Sequence, residues 1–165
     1  MIELILGGAR SGKSSYAETQ AAASGLVVVY VATGEAQDTE MSERIAYHRA
    51  RRPAAWRTVE EPLALAAALA REASPQHCLI VDCLTLWLSN VLLSAREEEL
   101  DRLLAVLPRL PGRILLVSNE VGWGIVPENA LARRFRDEQG RLNQKIAQLA
   151  DRVTLIAAGL PLQLK

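Results

Sequence analysis

Short apolar runs alternate along this chain with longer segments in which apolar residues recur every three or four positions. Ile2–Leu6, Leu26–Ala32, Trp56–Val59, Cys78–Val81, Arg113–Val117 and Val153–Ala157 read as strands. Leu26–Ala32 is almost continuously Val and Tyr, the pattern of a parallel strand covered on both faces. Helical spacing marks Lys13–Ser24, Asp38–Arg52, Leu63–Glu72, Leu84–Leu93, Glu97–Leu107 and a long segment from about Pro127 to Ala150. Asp38–Arg52 places Met41, Ile45 and His48 on one face, and Pro53 ends it. In the long segment Leu131, Phe135, Leu142, Ile146 and Leu149 form an apolar stripe. Leu160–Leu164 reads as a last edge strand, reached through a Gly159-Leu160-Pro161 link short enough for a hairpin-like return. Strand–helix alternation of this kind predicts one α/β domain over residues 1–165, with a mostly parallel sheet of about seven strands and right-handed crossovers.

Composition narrows the class. With 165 residues, 50% hydrophobic and 23% charged, the chain reads as an ordinary globular domain large enough to bury a core. The 19 basic and 19 acidic side chains cancel, which argues against a nucleic-acid binder driven by a general positive field. Cys78 and Cys83 have no Cys/His ligand pattern around them and read as small core residues flanking a strand. Met1–Leu6 is too short for a signal peptide and no run is long enough to span a bilayer, so a cytoplasmic enzyme is expected. His77, after Ser74-Pro75, is expected in a surface turn and is given no role.

In open parallel sheets ligands gather beyond the carboxyl ends of the strands. Here those ends carry Gly7, Thr33-Gly34-Glu35, Glu60-Glu61, Asp82, Ser118-Asn119-Glu120 and Gly159. The first leads into Gly7-Gly8-Ala9-Arg10-Ser11-Gly12-Lys13-Ser14, a complete G-x-x-x-x-G-K-S pattern between a strand and a helix. Glycines let main-chain N–H groups close on phosphate oxygens, and the helix adds its positive end. Lys13 supplies charge to the outer phosphates and Ser14 a ligand for Mg²⁺. Asp82, after Leu79-Ile80-Val81, stands where a second carboxylate reaches that ion; the competing reading makes it the N-cap of the next helix. No Asn-Lys-x-Asp or Asp-x-x-Gly segment is present, so a Ras-like switch is not expected. The loop from Asn119 and Glu120 through Gly122 and Gly124 reads either as one wall of the site, on the Mg²⁺ or acceptor side, or as a plain connector.

His48 lies among Arg44, Arg49, Arg51 and Arg52. A neutral imidazole is a competent nucleophile toward phosphorus, and neighbouring guanidinium groups favour the neutral form. An ordinary histidine on a basic helix face is the plainer alternative.

These segments together resemble a known family. The P-loop, Tyr30-Val31-Ala32-Thr33, Arg44-Ile45 through His48-Arg49 to Arg52-Pro53, Trp56–Glu60, Asp82-Cys83-Leu84-Thr85, Ser118–Glu128, Phe135-Arg136-Asp137 and Gly140–Gln144 follow one another in the order found in the bifunctional adenosylcobinamide kinase/adenosylcobinamide-phosphate guanylyltransferases of cobalamin biosynthesis. The resemblance implies a RecA-type P-loop fold, a homotrimer, and two reactions. ATP or GTP phosphorylates the aminopropanol hydroxyl of adenosylcobinamide; GTP then gives GMP to that phosphate through a guanylylated histidine, releasing pyrophosphate. The histidine falls on His48. Lys13 is the other expected catalytic group. Expected nucleotide contacts are Gly7, Gly8, Ala9, Arg10, Ser11, Gly12, Lys13, Ser14, Ala32, Thr33, Gly34, Arg49, Ala50, Arg51, Arg52, Glu60 and Asp82, with Ser14 and Asp82 on Mg²⁺. Glu61 beside Glu60 leaves open which of the two meets base or ribose. The alternatives are a P-loop kinase of another small alcohol without guanylyl transfer, and a nucleotide-binding regulatory module.

Overall fold

The computed structural model describes residues 1–34 and 53–165. The helix expected over Asp38–Arg52 lies outside them. Among the described residues seven strands run β1 (Ile2–Gly7), β2 (Val27–Ala32), β3 (Arg57–Glu60), β4 (His77–Asp82), β5 (Arg113–Val117), β6 (Arg152–Ala157) and β7 (Leu160–Gln163). The helices among the described residues are α1 (Lys13–Ala22), α2 (Leu65–Glu72), α3 (Leu84–Leu93), α4 (Glu98–Val106) and α5 (Ala130–Leu149), with a 3₁₀ turn at Leu107–Arg109. The strands form one sheet in the order β3-β2-β4-β5-β1-β6-β7. Every neighbouring pair is parallel except β6–β7, the expected hairpin return.

Because successive strand residues face opposite sides, the sheet sorts its apolar residues into two cores. Leu4, Leu6, Val29, Val31, Leu79, Val81, Ile114, Leu116 and Val153 meet α2 through α5 on one face. Ile5, Val28, Tyr30, Ile80, Leu115, Val117 and Ile156 meet Ala17 and Ala21 of α1 on the other. Small residues there let α1 lie close to the strands. Trp87 of α3 is fully buried, and its indole Nε1 donates to the Leu63 carbonyl at 2.8 Å.

Three features differ from the hydrophobic pattern. The stripe on α5 buries its middle and leaves its two ends open: Leu142 and Ile146 are covered and Phe135 partly so, while Leu131 and Leu149 are exposed. Gln139 and Asn143 share the buried line instead. His77 is the first residue of β4 rather than part of a turn; its ring Nδ1 lies 2.7 Å from the Glu72 carbonyl. Glu3, inside an apolar strand, is fully buried and bonded to Tyr16 (3.1 Å), Thr154 (2.9 Å) and Arg113 (3.4 Å). A buried carboxylate is tolerated when hydrogen-bonded and paired in this way.

Candidate active site

The first strand ends at Gly7, whose backbone φ of +151° lies outside the range that side-chain-bearing residues readily adopt. A Cβ at Gly7 would sit 2.5 Å from the Ile156 carbonyl oxygen and 2.6 Å from Ser11 Oγ, so the loop closes against β6 with no space for one. Gly12, at φ +101°, turns the chain into α1. The loop is fastened from outside: the Gly159 amide in the β6–β7 turn donates to the Ser11 carbonyl at 2.9 Å, and the Ser11 amide to the Gly8 carbonyl at 3.3 Å. Ser11 Oγ is enclosed and meets no hydrogen-bond partner among the described residues. An orphaned hydroxyl enclosed in the loop is a group that a phosphate oxygen could satisfy. Ala9 and Arg10 stand exposed at the tip, Arg10 in the left-handed region at φ 56°.

Lys13 is buried at the start of α1, and its Nζ donates to the Gly8 carbonyl at 2.5 Å. Burial lowers its pKa below the usual 10.5, against the opposing influence of Cys83 and Asp82. Ser14 Oγ lies 3.3 Å from Asp82 Oδ1, and the Tyr30 hydroxyl donates to Asp82 Oδ2. Tyr30 therefore orients the carboxylate that faces the P-loop helix. The helix after β4 is capped by Cys83, whose Sγ accepts from the Leu86 amide, so Asp82 is not the N-cap. Burial and the adjacent Asp82 charge push the Cys83 thiol up to about 11.

Thr33 is fully buried. Its Oγ1 donates to the Cys83 carbonyl at 2.8 Å and lies 2.9 Å from the Cys83 amide, clamping the end of β2 to the turn after Asp82 across a cis Asp82–Cys83 peptide. Asn90 of α3 reaches back to the Thr33 carbonyl (2.9 Å) and the Pro62 carbonyl (3.2 Å). Thr33 thus shapes the site through the backbone it holds. Ala32 and Gly34 beside it are half-buried, and Glu60 is exposed at the end of β3, on the far side of β2 and β4. Glu61 is engaged elsewhere: its carboxylate accepts from the Leu63 (3.1 Å) and Ala64 (2.8 Å) amides at the start of α2. His48, Arg49, Ala50, Arg51 and Arg52 lie outside the described residues.

The structure thus brings the P-loop, Ser14, Lys13 and Asp82 together at one edge. The family model for "Cobinamide kinase / cobinamide phosphate guanyltransferase" matches residues 3–164. The chain belongs to that family. It is 60% identical over 169 residues to "Bifunctional adenosylcobalamin biosynthesis protein CobP" of Pseudomonas aeruginosa, covering 100% of this chain and 98% of that one. It is 38% identical over 182 residues to proteins named "Bifunctional adenosylcobalamin biosynthesis protein CobU" in Salmonella typhimurium and Escherichia coli, covering 100% of both chains in each comparison. Among solved structures it is similar to an ATPase domain, with a TM-score of 0.49 and 12% identity over 93% of this chain and 68% of that one. This cobinamide kinase/guanyltransferase carries two activities, which sets aside the kinase-only and regulatory readings.

Sequence reasoning overlooked the polar seat beneath the end of β5. Ser118, Gln139 and Asn143 are all buried there, joined by Ser118 Oγ to Asn143 Oδ1 at 2.7 Å and Gln139 Nε2 to Ser118 Oγ at 2.9 Å. The signal was present: Gln139 and Asn143 are one helical turn apart and in line with Leu142 and Ile146, polar side chains on a buried face.

Proposed function

We propose that the P-loop grips the triphosphate of ATP or GTP for phosphorylation of the adenosylcobinamide hydroxyl, and then of GTP for transfer of GMP to the resulting phosphate. The observation that carries this is the convergence of Lys13, Ser14 and Asp82 on the loop between β1 and α1. The residues Gly7 to Ser14 surround the phosphates, with Lys13 as the charge that follows the transferred group. Ala32, Gly34 and Glu60 line the approach of the nucleoside from the β2–β3 side, and Thr33 holds that wall.

A hydroxyl and a carboxylate 3.3 Å apart make a hard-oxygen pair that fits Mg²⁺, which takes one or two protein ligands and fills its shell with phosphate oxygens and water. Ser14 and Asp82 would hold it. Bound there, the ion neutralises phosphate charge. Tyr30 keeps Asp82 turned toward Ser14, and Lys13 carries positive charge on the other side of the loop.

For the second reaction the nucleophile is His48, with Arg49, Arg51 and Arg52 beside the nucleotide and Ala50 among them in sequence. The imidazole nitrogen forms a bond to the α-phosphorus while the bond to the β-phosphate oxygen breaks, releasing pyrophosphate; the cobinamide phosphate oxygen then displaces the histidine. Incubation with α-labelled GTP is expected to leave GMP on the protein in an acid-labile, alkali-stable linkage. A His48→Ala variant that labels to the same extent would remove this mechanism.

The loop after β5 exposes Trp123, Ile125 and Val126. Apolar side chains displayed together suit the face of a corrin ring, and we assign the acceptor to that side. The exposed apolar edge of β7, with Leu160 and Leu162, supports association between chains; a homotrimer acting in the cytoplasm is the assembly we propose. Light scattering is expected to give three times the 18.0 kDa of one chain.

A further inference from the structure

We infer that Glu120 takes the proton from the acceptor alcohol in the kinase step, and that Asn143 is the positioning residue that holds its carboxylate. The inference rests on the phosphate seat proposed above. Strand order supplies the first argument. β5 lies between β1, which carries the P-loop, and β4, which carries Asp82. Whatever follows β5 therefore emerges between the loop and the Asp82 carboxylate. Ser118, Asn119 and Glu120 follow β5 in turn, and of these Glu120 carries the carboxylate; its amide donates to the Gly7 carbonyl at 3.1 Å, which holds it beside the start of the loop.

Among the described residues, the other carboxylates at this edge are committed or distant. Asp82 is held by Ser14 and Tyr30, and Glu61 caps α2. Glu60 ends β3, four strand spacings from β1, or roughly 19 Å. Glu120 makes no ion pair among the described residues. It is half-buried and stands at the border of a groove of about 350 Å³ that runs along α5 past Gly140 and Gln144 to Val153 and Lys165.

The support beneath it is built rather than incidental. Asn143 Nδ2 donates to Glu120 Oε1 and to the Asn119 carbonyl, both at 3.2 Å. Its own Oδ1 accepts from Ser118 Oγ at 2.7 Å and Gln139 Nε2 at 3.1 Å, which fixes which end of the amide faces the carboxylate. The Asn119 amide donates to Thr85 Oγ1 at 2.9 Å, tying the same turn to the helix that follows Asp82. Asn143 and Ser118 are thus held by several hydrogen bonds each, although the buried Gln139 Oε1 has no partner among the described residues.

In the step itself the alcohol oxygen forms a bond to the γ-phosphorus and the bond from that phosphorus to the β-phosphate oxygen breaks. The alcohol proton passes to a Glu120 oxygen and then to water, and the nucleoside diphosphate leaves. Guanylyl transfer to an existing cobinamide phosphate has no alcohol proton to remove. The two reactions should therefore separate in a Glu120→Gln variant. Its kinase turnover with cobinamide should fall relative to its guanylyl transfer to supplied cobinamide phosphate by about 100-fold or more. Asn143→Leu, which keeps the carboxylate and removes the amide, should lower kinase kcat about tenfold while the nucleotide KM stays within about twofold.

Lys13→Ala, assayed alongside, should lose both reactions. If it keeps the kinase reaction, the phosphate seat is wrong and this inference goes with it. If Lys13→Ala fails as expected while Glu120→Gln retains its kinase turnover, or loses both reactions equally, the assignment of Glu120 alone is overturned. Should Glu120→Gln not fold, Asn143→Leu decides: a raised nucleotide KM with unchanged kcat would overturn it.

Discussion

The two faces of the sheet carry cores of different character. On one, four helices bury Leu, Ile, Val and Trp side chains in bulk. On the other, among the described residues, α1 meets the strands through Ala17 and Ala21 and carries the phosphate loop at its leading end. The first face supplies most of the apolar burial that holds the fold together. The second sacrifices apolar volume so that a helix end and a strand end approach closely, with no room for a Cβ at Gly7 and only a tight fit for one at Gly12. Stability and phosphate geometry are thereby largely assigned to different sides of one sheet.

Substitutions on each side should break this division or sharpen it. The largest effect is expected from Trp87→Ala, which empties a fully buried site and strands the Leu63 carbonyl; a loss of about 3–5 kcal/mol in chemical denaturation is expected. At temperatures where the variant remains folded, turnover should change little. Lys13→Ala should reverse that signature: a rate loss of about 10²–10³, with the denaturation midpoint unchanged or raised because a desolvated cation is removed. Ala17→Leu tests the close approach itself. Overpacking under α1 should cost about 1–3 kcal/mol and also reduce turnover, since the loop moves with its helix. A variant with full activity would show the close packing to be dispensable for the chemistry.

The smallest effect concerns pH and the helical face alone. The Arg57 guanidinium, aided by Arg71, holds the Glu72 carboxyl below its ordinary value of 4.5 despite burial. A lowered folded-state pKa stabilises the fold above the unfolded-state value, and that contribution is lost as pH falls through the folded one. The difference in Tm between the protein and Glu72→Gln should therefore be full above pH 4.5 and shrink as the solution is acidified below it. A difference that stays constant with pH would show that charge on Glu72 contributes nothing.

How legible the molecule was in its sequence varies between these regions. Strands β1, β2, β4, β5 and β6 were readable because strands covered on both faces leave continuous apolar runs. The phosphate loop was readable because its geometry demands glycine at fixed spacing. The seat under Glu120 was not read, since its members lie on β5 and α5 and meet only through the fold. Thr33 was read as a nucleotide contact, whereas its hydroxyl is spent on the turn after Asp82. In a sequence, a hydroxyl that grips a neighbouring turn looks the same as one that touches a ligand. Glu3 was invisible for a related reason: the groups that make its burial tolerable come from residues 16, 113 and 154.

The Lys13 ammonium resting on the Gly8 carbonyl has one more consequence. The side chain is already largely withdrawn from solvent, so an arriving triphosphate meets a charge that has been desolvated beforehand and draws it off the Gly8 carbonyl. The energetic penalty of a bare cation is thus borne by the resting protein, and the attraction is already in position when phosphate approaches. A loop prepared in this manner trades some standing stability for a grip that requires little rearrangement at the moment of capture.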